Sequence, residues 1–298
     1  MIYWWTLHCL FFILAFHFLT KLNTDKILIL KEKYLPSPKI GQALFNQLIG
    51  YKEFLLETSK EFKLLQYKYF TAMILDLVKA TKNYGSPIDF AITELKLALS
   101  KDISLETKIR SQLFGAIFQM IMISLMGFLF FYFSSIQLGL KIAIREILIC
   151  FLIQFFGLSI FILLFIKLKT YHFKDLESYL KSIYKLRSLS VSGFGISKVL
   201  RDSNLSNLPK KKKLFPLYKR ILTIFKMVQK YGSLDTQEFN IIIAELWQLC
   251  DIEFEHFLKH LAALKTVIII GFFLGTYLYL IFNLLARKRR ALTLFVLL

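Results

Sequence analysis

The chain has 298 residues, of which 56% are hydrophobic and 31 are phenylalanine, well above the roughly 45–50% apolar share of soluble domains. Its net charge of +19 at pH 7 could suit nucleic acid, but the aromatic residues concentrate in apolar segments, away from the lysines. These numbers exclude an ordinary soluble domain, and they disfavour a nucleic-acid partner.

Four segments contain no Asp, Glu, Lys or Arg: Met1–Thr20, Ser111–Leu140, Ile147–Ile166 and Thr266–Ala286. A helix rises ~1.5 Å per residue and the hydrocarbon core of a bilayer is ~30 Å thick, so about 20 apolar residues suffice to cross it. The chain is therefore predicted to have an N-terminal transmembrane anchor (1–20), a first helical domain (21–110), a transmembrane hairpin (111–166), a second helical domain (167–265), a last transmembrane helix (266–286) and a short tail (287–298).

Basic residues are unevenly distributed around these segments. Residues 21–113 hold 15 Lys and Arg against 10 Asp and Glu, and residues 167–265 hold 18 against 9. Because cytoplasmic segments carry the excess of Lys and Arg, both helical domains are expected in the cytoplasm and Gln137–Glu146 on the other side. Met1–Thr20 lacks the basic start and cleavage motif of a signal peptide, so we expect it to be a retained anchor.

The C-terminal tail conflicts with this topology. Four crossings from an outside N-terminus place Arg287, Lys288, Arg289 and Arg290 outside as well, against the positive-inside tendency. Either the basic residues of the two helical domains outweigh the tail, or Met1–Thr20 does not cross the membrane.

Both water-facing domains have the periodicity of helices. Apolar residues recur every three or four positions in Phe54–Leu77 and in Tyr179–Leu200. Gly85, Gly193 and Gly232 interrupt the helical patterns and are interpreted as turns. The expected fold is an all-α integral membrane protein, with two cytoplasmic helical bundles connected by transmembrane helices.

The two domains share a short sequence in similar surroundings. Tyr84-Gly85-Ser86 recurs as Tyr231-Gly232-Ser233, 147 residues later, and each copy lies between two helical patterns, the second of which leads into a span. Downstream, Glu94-Leu95 of the first copy matches Glu245-Leu246 of the second. We interpret the two domains as copies of one duplicated unit.

The sequence offers no motif for catalysis or for a cofactor. Cys9, Cys150 and Cys250 form no CxxC pair, and no P-loop, nucleophile elbow or dinucleotide fingerprint occurs. His256 and His260, four residues apart, could hold a divalent ion, but they lack the HExxH order and a solvated, charged helix face is the favoured interpretation. No catalytic residue, metal or cofactor is predicted, and an enzyme is not expected.

Transport is the alternative function. Carriers of ions and protons usually place ionisable side chains inside the bilayer. The four predicted spans contain no Asp, Glu, Lys or Arg, and their histidines are His8 and His17. The other polar residues of the spans are expected to hydrogen-bond between helices or to their own backbone. They are Gln119, Ser124, Gln154, Ser159, Thr276 and Asn283. A small polytopic transporter or channel remains the first alternative, and a membrane-bound enzyme the second.

The densest run of positive charge is formed by Lys210, Lys211, Lys212 and Lys213, which lie between two prolines and are expected in a loop. Near a membrane each lysine contributes about 1 kcal/mol of attraction to anionic lipid, so a solvated or lipid-facing loop is the favoured interpretation. A docking site for an acidic partner protein is the alternative.

Two segments resemble a known family. Leu186–Leu200, with the sequence LRSLSVSGFGISKVL, resembles the helix, Ser-Gly turn and helix that open the cytoplasmic domain of the type II secretion system F family. Gln229–Leu234 is similar to the second glycine turn of that domain, and Tyr84–Ile88 to the corresponding turn of Tad-type relatives. The resemblance covers roughly residues 40–286. It assigns turn roles to the three glycines named above.

The family comprises platform proteins of type II secretion systems, type IV pili and Tad pili. The resemblance implies a non-enzymatic, homo-oligomeric platform in the cell inner membrane. Its cytoplasmic bundles would contact a hexameric secretion ATPase, and its spans would contact the lipid bilayer and the pilin or pseudopilin being assembled. ATP hydrolysis by the partner would then move the bundles, and the spans would follow.

Overall fold

The computed structural model describes residues 36–49, 64–84, 89–139, 144–191, 203, 208–209, 212–231 and 236–296. Within these ranges the regular elements are helices and no strand occurs, so the all-α class is confirmed there. The anchor predicted at Met1–Thr20 lies outside the described residues. The helices are α1 (Pro38–Gln47), α2 (Phe70–Tyr84), α3 (Asp89–Gln137), α4 (Ile144–Val191), α5 (Phe215–Tyr231), α6 (Thr236–Ile268) and α7 (Gly275–Val296), with a 3-10 turn at Lys212–Leu214 and a π-helical segment at Ile269–Leu274 that joins α6 to α7.

Three helical stretches of the described chain are long and apolar enough to cross a membrane. They are α3, α4 and the continuous run of α6, the π-helical segment and α7. α4 and the α6–α7 run each contain a charge-free segment predicted from the sequence, and α3 contains residues 111–137 of another. α3 alone has 49 residues, which corresponds to about 70 Å, more than twice the thickness of the hydrocarbon core. The membrane-spanning part is therefore only the middle or end of a much longer helix.

The apolar segments expose large side chains, as helices facing lipid do. On α3 the exposed apolar residues recur every three or four positions and so form a stripe along one side of the helix. A water-soluble protein rarely exposes so continuous an apolar surface. The stripe consists of Phe114, Phe118, Met122, Met126, Phe130 and Phe133.

Backbone contacts divide the chain into two compact units, Met1–Glu106 and Thr107–Leu298, and the boundary falls within α3. In the first unit α1 lies close to its neighbours at Gly41. A Cβ atom on Gly41 would lie 2.8 Å from Cγ1 of Ile103 and 2.9 Å from Cζ of Tyr67, so a larger residue would push these side chains away. The core of this unit includes Leu44, Leu48, Phe70, Met73, Ile74, Leu77, Ile92, Leu95, Ala98 and Leu99.

The helix predicted across Phe54–Leu77 is not continuous, which corrects the interpretation of its periodicity. α2 begins only at Phe70, and Lys68 before it lies in a left-handed turn with φ +43°. The hydroxyl of Thr71 accepts a hydrogen bond from the backbone N–H of Tyr67 at 2.9 Å and so fixes the turn. A left-handed conformation costs a non-glycine residue roughly 1–2 kcal/mol, a cost that apolar spacing does not reveal.

In the second unit, α6 packs along α4 on the water-facing side, and the π-helical segment preserves this contact into the span. The buried positions of α6 continue into α7, but Ile268 and Phe273 are five residues apart. In a regular α-helix a five-residue step would turn the side chain about 140° from the first. The extra residue of the π-helical segment restores the common face. This face carries Phe257, Leu261, Ile268, Phe273, Thr276, Leu280 and Leu284.

Two of the helices that are long and apolar enough to cross a membrane, α3 and α4, follow each other directly in the chain. α3 ends at Gln137, followed by Gly139 in a left-handed conformation with φ +63°, and α4 begins at Ile144. At this end of the helices the guanidinium of Arg287 donates a hydrogen bond to Glu146 at 2.7 Å. The basic tail therefore lies at the same end of the spans as the α3–α4 connection, as two crossings after α3, by α4 and by the last span, require.

Candidate functional site

The contact between α4 and α6 has a polar centre, His172, which is 7% exposed. Aromatic rings surround it, because Phe257 of α6 lies between α4 side chains at centroid distances of 5.6 Å to Phe165 and 5.7 Å to Phe173. On α4 the buried residues recur at helical spacing, so His172 belongs to the face that packs on α6. These buried residues are Phe165, Lys169, His172, Phe173, Leu176, Tyr179 and Leu180.

Both ring nitrogens of His172 have partners on α6. Nδ1 lies 2.7 Å from Oε2 of Glu253, and Nε2 lies 3.0 Å from Nδ1 of His260. A carboxylate can only accept, so Nδ1 of His172 is the donor to Glu253. In the neutral ring, Nε2 then accepts a hydrogen bond from Nδ1–H of His260. The three side chains form a chain of hydrogen bonds from a half-buried carboxylate to the exposed His260.

Glu253 carries a second partner, Lys213, which forms an ion pair with its other carboxylate oxygen. The lysine lies in the 3-10 turn before α5, so the pair joins a third element to the α4–α6 contact. Burial lowers the pKa of His172 from its usual value of 6.5, and the nearby His260, His256 and Lys213 lower it further. The negative charge of Glu253 favours the protonated form of His172, but Lys213 offsets this charge. We therefore expect His172 to be neutral at pH 7.

The histidine pair noted in the sequence, His256 and His260, does not behave as one unit. His260 contacts His172, with ring centroids 5.2 Å apart, while His256 is exposed one turn earlier on α6. Both histidines are exposed, and His260 in addition contacts the buried ring of His172. Among the described residues, no group of three His, Cys, Asp or Glu side chains is placed to hold a metal ion.

His172 was missed by the sequence analysis, although a signal for it exists. It lies six residues after Ile166, the end of one predicted span, and His260 lies six residues before Thr266, the start of another. If two antiparallel helices cross the membrane side by side, residues equally far from the membrane lie at the same depth. These equal separations from the ends of the spans could have predicted a contact between His172 and His260.

A second set of polar contacts links the three spans within the predicted bilayer. Ser124 of α3 donates a hydrogen bond to Oε1 of Gln154 on α4 at 2.5 Å, and Nε2 of Gln154 donates to Oγ1 of Thr276 on α7 at 3.0 Å. The thiol of Cys150 lies 3.7 Å from the carbonyl oxygen of Thr276. These contacts confirm the prediction that polar residues of the spans hydrogen-bond between helices.

Other polar residues of the spans bond to their own helix, the second arrangement predicted from the sequence. Ser159 donates to the carbonyl oxygen of Phe155 at 2.9 Å, and Asn283 donates to that of Tyr279 at 2.9 Å. Gln119 is exposed on α3.

The first unit contains a buried ionic cluster of its own. Nζ of Lys68 lies 2.7 Å from Asp102 and 2.8 Å from Glu106, and the three side chains are 10%, 5% and 2% exposed. The hydroxyl of Tyr67 donates to Asp102 at 2.8 Å, and burial together with this carboxylate raises the pKa of Tyr67 well above its usual range. Hydrogen bonds and ion pairing of this kind reduce the cost of burying charge.

Polar contacts also fix α5 and α6 in the water-facing part of the second unit. Arg220 of α5 bridges Glu238 and Glu245 of α6 at 3.2 and 3.1 Å. The indole N–H of Trp247 donates to the hydroxyl of Tyr184 on α4 at 3.0 Å. Exposed ion pairs such as those of Arg220 contribute little each, so the buried tryptophan contact is the firmer link.

Most of the residues proposed for turns and docking lie outside the described part of the chain. This holds for Gly85, Gly193, Gly232 and for Lys210 and Lys211. Lys212 is described only through its backbone, in the 3-10 turn, while Lys213 is exposed and paired with Glu253. Lys213 therefore has an internal partner, which the interpretation of a solvated loop did not include.

Comparison with protein-family models, curated proteins and solved structures gives no match for this chain.

Proposed function

We propose that this protein is a non-enzymatic, homo-oligomeric platform of the inner membrane, which couples a cytoplasmic secretion ATPase to the assembly of pilin or pseudopilin subunits. The proposal extends the resemblance of Leu186–Leu200 and Gln229–Leu234 to the type II secretion system F family. It assigns the water-facing helices to ATPase contact and the spans to contact with pilin.

One observation carries the proposal: the helices of the spans continue without a break into the water-facing part of the chain. α4 runs from Ile144 to Val191, and the run from Thr236 to Val296 passes through α6, the π-helical segment and α7. A packed, continuous helix transmits a displacement of one end to the other. This architecture suits a protein that passes force from a cytoplasmic motor to the membrane.

The contacts between the spans also support the proposal. Ser124, Gln154 and Thr276 satisfy one another across three helices, which leaves their hydrogen-bonding groups occupied rather than directed at a solute. A close approach of α4 to the π-helical segment, at Gly157 and Phe272, adds tight packing at the same level of the bilayer. Solid packing of this kind favours a mechanical role over a transport path.

The proposal places both water-facing regions in the cytoplasm. The excess of lysine and arginine in residues 21–113 and 167–265 supports this side. Reporter fusions inserted at Gly85 and at Asn204 test it, and both should report the cytoplasm. Reporters on opposite sides of the membrane would contradict the proposal.

Co-purification tests the partner directly. We expect the full chain, solubilised in mild detergent, to retain a hexameric secretion ATPase of the same cell, identified by mass spectrometry. Changing Lys210, Lys211 and Lys212 to Glu should weaken retention if these lysines dock an acidic surface. Lys213 is left unchanged because it pairs with Glu253. Consistent failure to retain a secretion ATPase would overturn the proposed function.

A transporter or channel is separated from the platform by the solvent exposure of the spans. In the platform, a cysteine at Gln154 should react poorly with a water-soluble maleimide, because the site lies between packed helices. Rapid labelling at Gln154 and at Thr276, without labelling of the lipid-facing Phe118, would indicate a water-filled path instead.

A further inference from the structure

The imidazoles of His172 and His260 form a contact between α4 and α6 that depends on protonation. They meet nitrogen to nitrogen at 3.0 Å, one ring buried and the other exposed to water. The contact lies six residues from each predicted span, so it joins the two helices just outside the membrane. Histidine is the side chain whose charge changes most readily between pH 5 and 8.

The hydrogen bond between His172 and His260 is kept in two protonation states of the pair and lost in the third. With both rings neutral, His260 donates to His172, and His172 donates to Glu253. One added proton is also accommodated, because a charged His172 can donate from both nitrogens, to Glu253 and to a His260 that now accepts. With both rings charged, two N–H groups face each other and no acceptor lies between them. The second proton therefore breaks the hydrogen bond and adds repulsion.

The surrounding charges do not compensate for a second cation. On α6 the facing groups are Glu253 and the exposed His256, and the 3-10 turn contributes Lys213, which already pairs with Glu253. On α4 itself, Lys169 lies buried one turn before His172. The carboxylate that contacts His172 is thus shared with Lys213 before either histidine is charged.

We propose that the His172–His260 contact is a proton-operated latch, which holds α4 against α6 while at least one imidazole is neutral and releases the two helices when both imidazoles are protonated. Release would free the water-facing ends of two helices that continue into the membrane. The latch goes beyond the platform function, since it makes the coupling between the helices responsive to cytoplasmic pH.

The direction of the pH response follows from linkage. The pKa of His172 in the closed contact lies below its usual value of 6.5, so the open state binds more protons as the pH falls below 6.5. Acidification therefore favours the open state, and raising the pH restores the closed one. Between the pKa values of the open and closed states, each fall of one pH unit raises the ratio of open to closed molecules by up to about tenfold for each proton taken up on opening.

The latch can be tested on the full chain in lipid nanodiscs by measuring the distance between spin labels. Labels at Lys174→Cys on α4 and Lys259→Cys on α6 occupy exposed positions on either side of the contact. Cys9→Ser serves as the background, because Cys150 and Cys250 are buried. At pH 7.5 we expect one short distance, and at pH 5.5 an additional longer distance whose population is larger than at pH 7.5, by up to about tenfold for one proton taken up on opening.

Two matched variants identify the responsible group. His260→Gln keeps a side chain that can hydrogen-bond His172 but cannot become a cation, so the short distance should persist at both pH values. His256→Gln removes the exposed histidine one turn away and should respond to pH as the parent chain does. The short distance of His260→Gln at pH 7.5 shows that the variant is folded.

Three results would overturn the latch. They are an unchanged distance in the parent chain between pH 7.5 and 5.5, a pH response in His260→Gln equal to that of the parent, and a response lost in His256→Gln but kept in His260→Gln.

Discussion

Lys213 occupies the position in the second unit that Lys68 occupies in the first. Each lysine lies two residues before the start of a helix, Lys213 before α5 and Lys68 before α2. Each forms an ion pair with a carboxylate on the long helix that follows, Lys213 with Glu253 and Lys68 with Asp102. The two units thus anchor the start of a shorter helix to a membrane-spanning one in the same way.

The matching positions support the interpretation of the chain as a duplicated unit. Aligning Leu95 with Leu246, as the sequence suggests, also aligns Asp102 with Glu253, since both pairs are 151 residues apart. Leu95 and Leu246 are both fully buried. The helices α2 and α5 both end on a tyrosine, and α3 and α6 begin five residues later. The positions of the two ion pairs and the helix bounds therefore agree with a repeat in which few residues are identical.

Replacing Lys68 by methionine should destabilise the first unit by about 3 kcal/mol, because it leaves two buried carboxylates without their cation. Denaturant unfolding of the purified chain, followed by the circular dichroism of its helices, measures the change. Asp102→Asn should cost less, since it leaves the Lys68–Glu106 pair intact and removes one of the two negative charges.

Lys39→Met provides the control for the lysine substitution, as Lys39 is exposed on α1 of the same unit. Its effect should stay within about 0.5 kcal/mol. Equal effects of the Lys39 and Lys68 substitutions would show that the ionic cluster does not stabilise the unit.

Replacing Gln154 by leucine should weaken the packing of the spans by about 1 kcal/mol, since it removes the hydrogen bonds to Ser124 and Thr276. Unfolding in mixed micelles of increasing SDS fraction measures this loss. Ser159→Ala, on the same helix, should have a smaller effect because Ser159 bonds to its own backbone. The reverse order of the two variants would contradict a role for Gln154 in joining the helices.

Replacing Gly157 by alanine should disturb the contact between α4 and the π-helical segment. A Cβ atom there would lie 2.6 Å from both Cβ and Cγ of Phe272, a distance that requires the helices to separate. Overpacking of this kind typically costs about 1–3 kcal/mol. Thermal unfolding in detergent should show a lower midpoint for this variant.

Gly115→Ala is the matched control for Gly157. No atom lies within 4 Å of a Cβ built on Gly115, which also belongs to a predicted span, so alanine there should be neutral or slightly stabilising. A similar loss of stability in both variants would mean that the close approach at Gly157 is not the cause.

The ion pair between Arg287 and Glu146 predicts the topology of the tail. Cysteines at Gln137 and at Lys288, both exposed, should react with a membrane-impermeant maleimide from the same side of the membrane. A cysteine at Lys174 should react from the opposite side, because α4 crosses between Gln137 and Lys174 in the sequence. Labelling of the Gln137 and Lys174 cysteines from one side would rule out α4 as a span.

The helical class and the three apolar helices of the described residues followed from the sequence because hydropathy is a local property. A segment such as Ile147–Ile166 has no charge to keep it in water, whatever its neighbours are. The turn at Lys68 did not follow, because a left-handed residue is held by contacts with Asp102 and Glu106, 34 and 38 residues away. The spacing of apolar residues alone predicted a helix that continues through Lys68.

The sequence by itself determined that the described part of the chain is helical, that three of its helices are apolar enough to cross a membrane and that polar residues of these helices bond to other helices or to their own backbone. Only the tertiary structure decided which of them meet: Gln154 with Ser124 and Thr276, and His172 with His260. The reason is that such pairs depend on the rotation and depth at which two helices pack. The π-helical segment at Ile269–Leu274 sets that rotation for α6 and α7.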